Sequence, residues 1–226
     1  MPEPIIEVRD LHKVYLLGST KLHALDDVSL SINRGEFVSI VGRSGSGKST
    51  LLNMLAGLER PTRGHITIAG QPIEKMNENK LVRFRLEHIG FIFQSFNLFA
   101  SMTAVENVSM PLAYRGMSRG QRMARAQAMM KAVGLETHMK HKPNQMSGGQ
   151  QQRVGIARAF VARPEIVFAD EPTGNLDSRT SDEIMAMIQQ IIRQTHQTFI
   201  MVTHDPVLAA MADRSIHLLD GHIRAN

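Results

Sequence analysis

Two stretches of this chain hold residue types at spacings that do chemistry. Gly42-Arg43-Ser44-Gly45-Ser46-Gly47-Lys48-Ser49 spells G-x-x-x-x-G-K-S directly after the apolar run Phe37-Val38-Ser39-Ile40-Val41. In such a phosphate loop the glycines let backbone N–H groups close around an anion. Lys48 meets the charge of the β- and γ-phosphates, and the Ser49 hydroxyl ligates Mg²⁺. Leu51, Leu52 and Leu55 continue at helical spacing, so the anion sits at a helix N-terminus, where unpaired amides and the dipole favour it. This chemistry is the capture of a nucleoside triphosphate. A glycine-rich turn without a ligand would leave the strand before it and the helix after it unexplained.

The second stretch is Asp170-Glu171, at the carboxyl end of the apolar run Ile166-Val167-Phe168-Ala169, where open α/β sheets place their ligands. Asp170 is placed to reach Mg²⁺ through water, and Glu171 to polarise an attacking water. In-line phosphoryl transfer needs positioning and charge compensation more than covalent chemistry. A bland alternative, two acids capping a strand-to-helix turn, weakens once the phosphate loop is counted. A further anion site is expected at Met146-Ser147-Gly148-Gly149-Gln150, before a helix whose Val154, Ala157, Phe160 and Val161 form one apolar face. Small residues bare the amides there, and Ser147 adds a hydroxyl donor.

The elements that must hold these residues follow from periodicity. Ile5–Leu11 and Leu22–Ile32 read as strands joined by a Leu16–Lys21 loop, Gly64–Ala69 as a short strand, and Ile89–Phe93 as a buried one ending at Gln94. From Thr103 to Met146 the composition turns helical, with an S-x-x-Q capping box predicted at Ser118–Gln121 and a C-cap at Gly134. Strand character resumes at Ile166–Ala169 and Thr198–Val202. Between them Ile184, Met187, Ile188 and Ile191 make the apolar stripe of a helix. Strands alternating with helices predict an α/β fold with a parallel sheet.

Composition bounds the rest. With 226 residues the chain holds one large α/β domain. Net charge is +5, but no aromatic is interleaved with a basic run, so no nucleic-acid partner is expected. The absence of cysteine excludes disulfides and thiol-ligated metals. The acidic start lacks the order of a signal peptide, and no apolar run approaches the roughly 20 residues that span a bilayer. The expectation is a protein soluble by itself and linked to a membrane through a partner. Fifteen methionines are expected mostly in the core. Arg115, Arg119, Arg122 and Arg125 read as a solvated helix face rather than a surface for a partner or for headgroups.

The phosphate loop, Gln94, M-S-G-G-Q at Met146–Gln150, V-F-A-D-E ending at Glu171, N-L-D at Asn175–Asp177, and His204 in V-T-H-D stand in the order and rough spacing of the ATP-binding cassette ATPases. The sequence resembles that family over nearly its whole length. The likeness implies a P-loop NTPase fold: a RecA-like parallel sheet core with an antiparallel β subdomain over 1–94 and 164–226, and a helical signature subdomain over about 95–163. It implies ATP and Mg²⁺ as ligands, held by the loop and Thr50 and, from a second copy, by Ser147, Gly148, Gly149 and Gln150 in a head-to-tail homodimer. Gln94 resembles the glutamine that contacts Mg²⁺ and the nucleophilic water and senses a transmembrane partner. His204 resembles the switch histidine at the γ-phosphate, which joins Glu171 and Gln94 as the catalytic set, and Ser49, Gln94 and Asp170 are the metal set. Asp177 resembles the acid that crosses the dimer interface. Tyr15, 33 residues before Lys48, stands where the family's aromatic stacks on adenine. Met146 replaces a more usual leucine of similar volume.

Phe93–Leu98, Thr103–Val108 and Pro172–Ser178 are similar to the macrolide-exporter and lipoprotein-release ATPases (MacB/LolD-like). That group drives an integral membrane permease with a large extracytoplasmic domain from the cytoplasmic face of the inner membrane, and it admits a periplasmic adaptor as a further partner. A cell-division regulator of the same ATPase type (FtsE-like) is the alternative. Non-transport cassette proteins usually carry two cassettes or a long coiled-coil insert, for which this chain has no room. A GTPase would need an N-K-x-D segment, which is missing.

Overall fold

In the computed structural model, which describes residues 4–224, strands and helices follow the periodicities of the chain. They run β1 (Pro4–Leu17), β2 (Thr20–Asn33), β3 (Phe37–Val41), α1 (Lys48–Leu55), β4 (Arg63–Ile68), β5 (Gln71–Pro72), α2 (Glu78–His88) and β6 (Ile89–Ile92), then α3 (Ala104–Tyr114), α4 (Arg119–Ala132) and α5 (Gly148–Phe160). The chain continues through β7 (Ile166–Asp170), α6 (Ser178–Thr195), β8 (Thr198–Thr203), α7 (Pro206–Ala209), β9 (Arg214–Leu219) and β10 (His222–Arg224). Two compact units result. One runs to Arg85 and resumes at Thr198, and the other is Leu86–Gln197.

The first unit holds an antiparallel sheet in the order β2-β1-β4-β5. Its long hairpin corrects the expected Leu16–Lys21 loop: Leu16 pairs with Lys21 and Leu17 with Thr20, leaving a two-residue turn with Gly18 at φ 62. Ile6, Val8 and Leu11 of β1, Leu25, Val28 and Ile32 of β2, and Ile66 and Ile68 of β4 are buried. Beside this sheet in the unit, β3 pairs in parallel with β8 and with β9, and β10 turns back on β9. All of β8 and all of β3 but Val41 are buried, which is why both read as nearly continuous apolar runs. Helix α1 buries Leu51, Leu52, Met54 and Leu55, each side chain contributing about 1.5–3 kcal/mol relative to exposure. That burial anchors the helix whose first turn carries Lys48.

The second unit contains helices α3, α4 and α5, the parallel pair β6–β7 and helix α6. Val108 and Leu112 of α3, Ala126 and Met130 of α4, Val154 and Ala157 of α5 and Val161 just after it share one core, with Met187 and Ile191 of α6 packed against it. Met54, Met130, Met146, Met185 and Met201 are buried, as the core-filling expectation requires. Helix α3 starts on a capping box: Thr103 Oγ1 accepts from Glu106 N at 3.4 Å and Thr103 N donates to Glu106 Oε2 at 2.9 Å. The bond from Thr103 N first, and then one that Thr103 Oγ1 donates to the same carboxylate oxygen at 2.8 Å, hold the Glu106 carboxyl below its usual range.

The box predicted at Ser118–Gln121 does not form; Ser118 is the N-cap of α4 without a side-chain cap bond. Ser118, Arg119 and Gln121 are exposed, so water serves these amides and a side-chain cap gains little. Gly134, at φ 74, does close α4. Arg115 is exposed, and its guanidinium also donates to the carbonyls of Leu86, Glu87 and Ala162 at 2.6–2.9 Å, a role the face reading did not include. Arg119 and Arg125 are exposed as expected, and Arg122 is half-buried.

Candidate nucleotide-binding site

The phosphate loop in the first unit is shaped by its last glycine. Gly47 has φ 99, and a Cβ there would lie 2.4 Å from Ala24 O, so no other residue fits where the loop becomes α1. Lys48 is 6% exposed and folds back so that Nζ donates to Arg43 O at 2.9 Å. Ser46 is buried, and its Oγ has no hydrogen-bond partner among the described residues. A buried ammonium resting on a carbonyl, beside a buried hydroxyl with no partner among the described residues at a helix start, fits an anion. Ser49 is exposed at the same turn and Thr50 half-buried, a donor set of hard oxygens suited to Mg²⁺ at the phosphates.

Tyr15 stands on β1. Its hydroxyl donates to Glu59 Oε2 at 2.8 Å, and Lys13, ion-paired to Glu59 Oε1 at 2.8 Å, lies 5.0 Å from the ring centroid. Burial first, and then Glu59, push the phenol above its ordinary range against an opposing bond from Thr50. The ring is thereby fixed at the loop's helix, and Glu59 and Lys13 are the residues that sequence reasoning missed there. His204 follows β8, is exposed, and precedes Asp205, which caps α7 by accepting from Val207 N at 2.8 Å.

In the second unit β7 delivers Asp170, and Glu171 turns the chain with φ 42. Gly174 marks where two catalytic candidates converge: a Cβ on it would meet Gln94 Nε2 at 3.0 Å and Glu171 Oε2 at 3.2 Å. Asn175 Nδ2 donates to Gln94 O at 3.0 Å, tying the N-L-D turn to the segment after β6. Asp177 has a visible structural task as N-cap of α6, accepting from Thr180 N at 3.0 Å and Thr180 Oγ1 at 2.7 Å. Those bonds hold its exposed carboxyl below the usual range.

Ser147 and Gln150 form a reciprocal capping box at the start of α5. Gln150 N donates to Ser147 Oγ at 3.3 Å, and Ser147 N to Gln150 Oε1 at 3.0 Å. Accepting in this way leaves the hydroxyl its own proton to give. Gly148 and Gly149 then open the helix without side chains over its first amides.

Sequence reasoning passed over two further residues of α5. Gln152 is completely buried, with Nε2 donating to Pro172 O and, at 3.5 Å, to Phe93 O. Arg158 donates to Asn97 O and, at 2.8 Å, to Phe96 O, and burial lowers its guanidinium from the ordinary value. The one signal in the sequence was a polar residue on the helix's apolar side.

A glycine-closed loop at a helix start, an acid pair ending a parallel strand and a second small-residue helix start define a P-loop ATPase. The chain belongs to the ABC transporter family, whose model matches residues 25–174. As a cassette of that family it is a transport-coupled ATPase that takes ATP with Mg²⁺. It is 47% identical over 224 residues to the ABC transporter ATP-binding protein YtrE of Bacillus subtilis (strain 168), covering 97% of each chain. It is 45% identical over 223 residues to the macrolide export ATP-binding/permease protein MacB of Escherichia coli (strain K12), covering 99% of this chain but only 34% of that protein. Among solved structures, the dimeric post-hydrolysis ATP-binding cassette MJ0796 bound to ADP and Pi superposes with a TM-score of 0.91, 42% identity and 97% coverage of both chains.

Proposed function

We propose that this chain pairs head to tail with a second copy over two ATP molecules and drives a separate integral membrane permease of the macrolide-exporter or lipoprotein-release type. One observation carries the coupling. The chain matches about a third of a protein whose name joins ATP binding to a permease, and it matches YtrE from end to end. No helix among the described residues is long and apolar enough to cross a membrane, so the membrane link runs through the permease at its cytoplasmic face. A periplasmic adaptor is compatible with that architecture.

The residues divide the work. Tyr15 stacks on the adenine. Lys48 exchanges Arg43 O for the β- and γ-phosphates, and Gly42–Gly47 offer their amides. Ser49, Gln94 and Asp170, the last through water, would hold Mg²⁺, which neutralises phosphate charge. Glu171 orients the attacking water and His204 contacts the γ-phosphate. From the second copy, Ser147 and the amides of Gly148, Gly149 and Gln150 meet the same γ-phosphate, and Asp177 crosses between the copies. ATP favours the closed pair because its γ-phosphate binds that state better, and hydrolysis removes the preference. The subdomain division, with a helical signature part over about 95–163, belongs to the same reading.

The test is Glu171→Gln. The variant should bind ATP nearly as tightly as the parent, release no phosphate, and elute as a dimer with ATP in size-exclusion chromatography. Elution as monomer alone would refute the pairing.

A further inference from the structure

We propose that Gln152 is a positioning residue that ties the start of α5 to both catalytic loops, so that the signature turn and the site's own Gln94 and Glu171 move together. The inference rests on the ATPase reading above and deepens it. Its basis is where one side-chain amide reaches. Nε2 of Gln152 donates to Phe93 O, the carbonyl immediately before Gln94, and to Pro172 O, the carbonyl immediately after Glu171.

The cost of placing an amide there indicates a use. Gln152 is 0% exposed, and its Oε1 is buried with no partner among the described residues. A buried acceptor without a partner is unfavourable, and an apolar side chain of equal length would avoid it. What such a side chain lacks is the donor that two carbonyls share. Those carbonyls lie beyond the paired stretch of β6 and β7, whose register ends at Ile92 with Ala169.

Helix α5 also holds one of these segments further along. Two turns beyond Gln152, Arg158 donates to the carbonyls of Phe96 and Asn97. The segment 93–97 is therefore gripped at three carbonyls from a single helix, and the 171–175 turn at one. At the other end of the helix, the Ser147–Gln150 box forms its first turn. Gln152 lies roughly 7.5 Å along the axis from Ser147, at 1.5 Å per residue. An α-helix shifts as a rigid element over that distance, so a displacement produced by γ-phosphate at Ser147 arrives at Phe93 and Pro172 undiminished. Through Gln152, ATP held by one site adjusts Gln94 and Glu171 of the other.

Gln152→Met removes both bonds at nearly constant volume, and Gln152→Leu serves the same purpose should the first variant fail to fold. Circular dichroism and thermal melts establish the fold. The expected result is ATP affinity within threefold of the parent, kcat lowered at least tenfold, and a Hill coefficient for ATP moved towards one. Amide hydrogen exchange reads the inference without turnover: segments 93–97 and 171–176 should both exchange at least tenfold faster, with the start of α5 unchanged. Unchanged exchange in either segment overturns the proposal, as does a parallel loss of affinity, kcat and melting temperature. Failure of the parent to hydrolyse ATP would count against the proposed function, whereas the exchange result decides Gln152 on its own.

Discussion

Lys48→Ala should separate capture of the nucleotide from folding, because the lysine does little for the empty fold. Its Nζ donates to Arg43 O at 2.9 Å, a bond with a net worth of about 1 kcal/mol. Against that, a cation in the first turn of α1 opposes the helix dipole by about 0.3–1 kcal/mol, and alanine is the better helix former. These effects nearly cancel, so stability without nucleotide should stay within about 1 kcal/mol of the parent, or roughly 2–4 °C in Tm for a chain of this size. In the complex the lysine would give up the Arg43 bond for charge-assisted bonds to two phosphates, each worth about 1.5–3 kcal/mol. The net loss on substitution is about 2–5 kcal/mol, or ~30- to ~5,000-fold in Kd. At ATP one hundredfold above the parent's Kd, the ligand stabilises the parent by about 2.7 kcal/mol and the variant by about 0.8 kcal/mol or less. Thermal melts with and without ATP read the difference, and calorimetric titration gives Kd directly. Equal ATP-induced shifts in the two proteins would refute the assigned role of Lys48.

Thr103→Ala, which removes half of the capping box on α3, should cost about 1 kcal/mol and lower Tm by roughly 2–4 °C, with ATP affinity unchanged; a Tm equal to the parent's would show the box to be idle. Arg158→Met should destabilise by about 2–3 kcal/mol in urea titrations, because the Phe96 and Asn97 carbonyls lose a charged donor; a loss below about 0.5 kcal/mol would contradict that grip. Acid should weaken the fold in a defined window. Glu106 and Asp177 have carboxyls held below their ordinary values of 4.5 and 3.8, so the stability they add is present above those values and disappears as pH falls through the lowered ones. Asp177→Asn keeps a good cap, so it should melt like the parent at pH 7 and lack part of the loss below pH 3.8; identical acid profiles would argue against Asp177 as a contributor.

The candidate nucleotide-binding loops were legible in the sequence because each is a short local pattern. Gly47 and Lys48 carry their meaning at fixed offsets, and Ile166–Asp170 is buried along nearly all its length, so its apolar run announces a strand ending in acids. Elements with weak patterns escaped. Helix α2 buries only Leu81 and Phe84, too sparse a stripe to declare a face. Strand β9 alternates buried Ile216 and Leu218 with exposed His217, a signal only a few residues long. The 16–21 segment looked like a loop because Gly18-Ser19-Thr20 break the apolar pattern, yet small polar residues do not prevent two backbones from pairing. Of the S/T-x-x-E/Q patterns at Thr103, Ser118 and Ser147, the first and last form boxes while Ser118 does not, since the first residues of its helix are exposed and water already reaches their amides. Gln152 and Arg158 were invisible because their partners are main-chain carbonyls, and no residue type advertises those.

Phe96 and Asn97 are successive non-glycine residues in left-handed backbone, with φ 59 and 47, a conformation that costs such residues roughly 1–2 kcal/mol each. Asparagine tolerates it better than most residues, but nothing in the Phe96 side chain favours it. The turn is held by its own amides, Phe96 N donating to Phe93 O and Asn97 N to Ser95 O, and by the guanidinium of Arg158 on both carbonyls, so this stretch obeys its neighbour as much as its own letters. Glycine at 96 or 97 should therefore sit there at ease, while changes to the arginine let the backbone spring towards ordinary geometry.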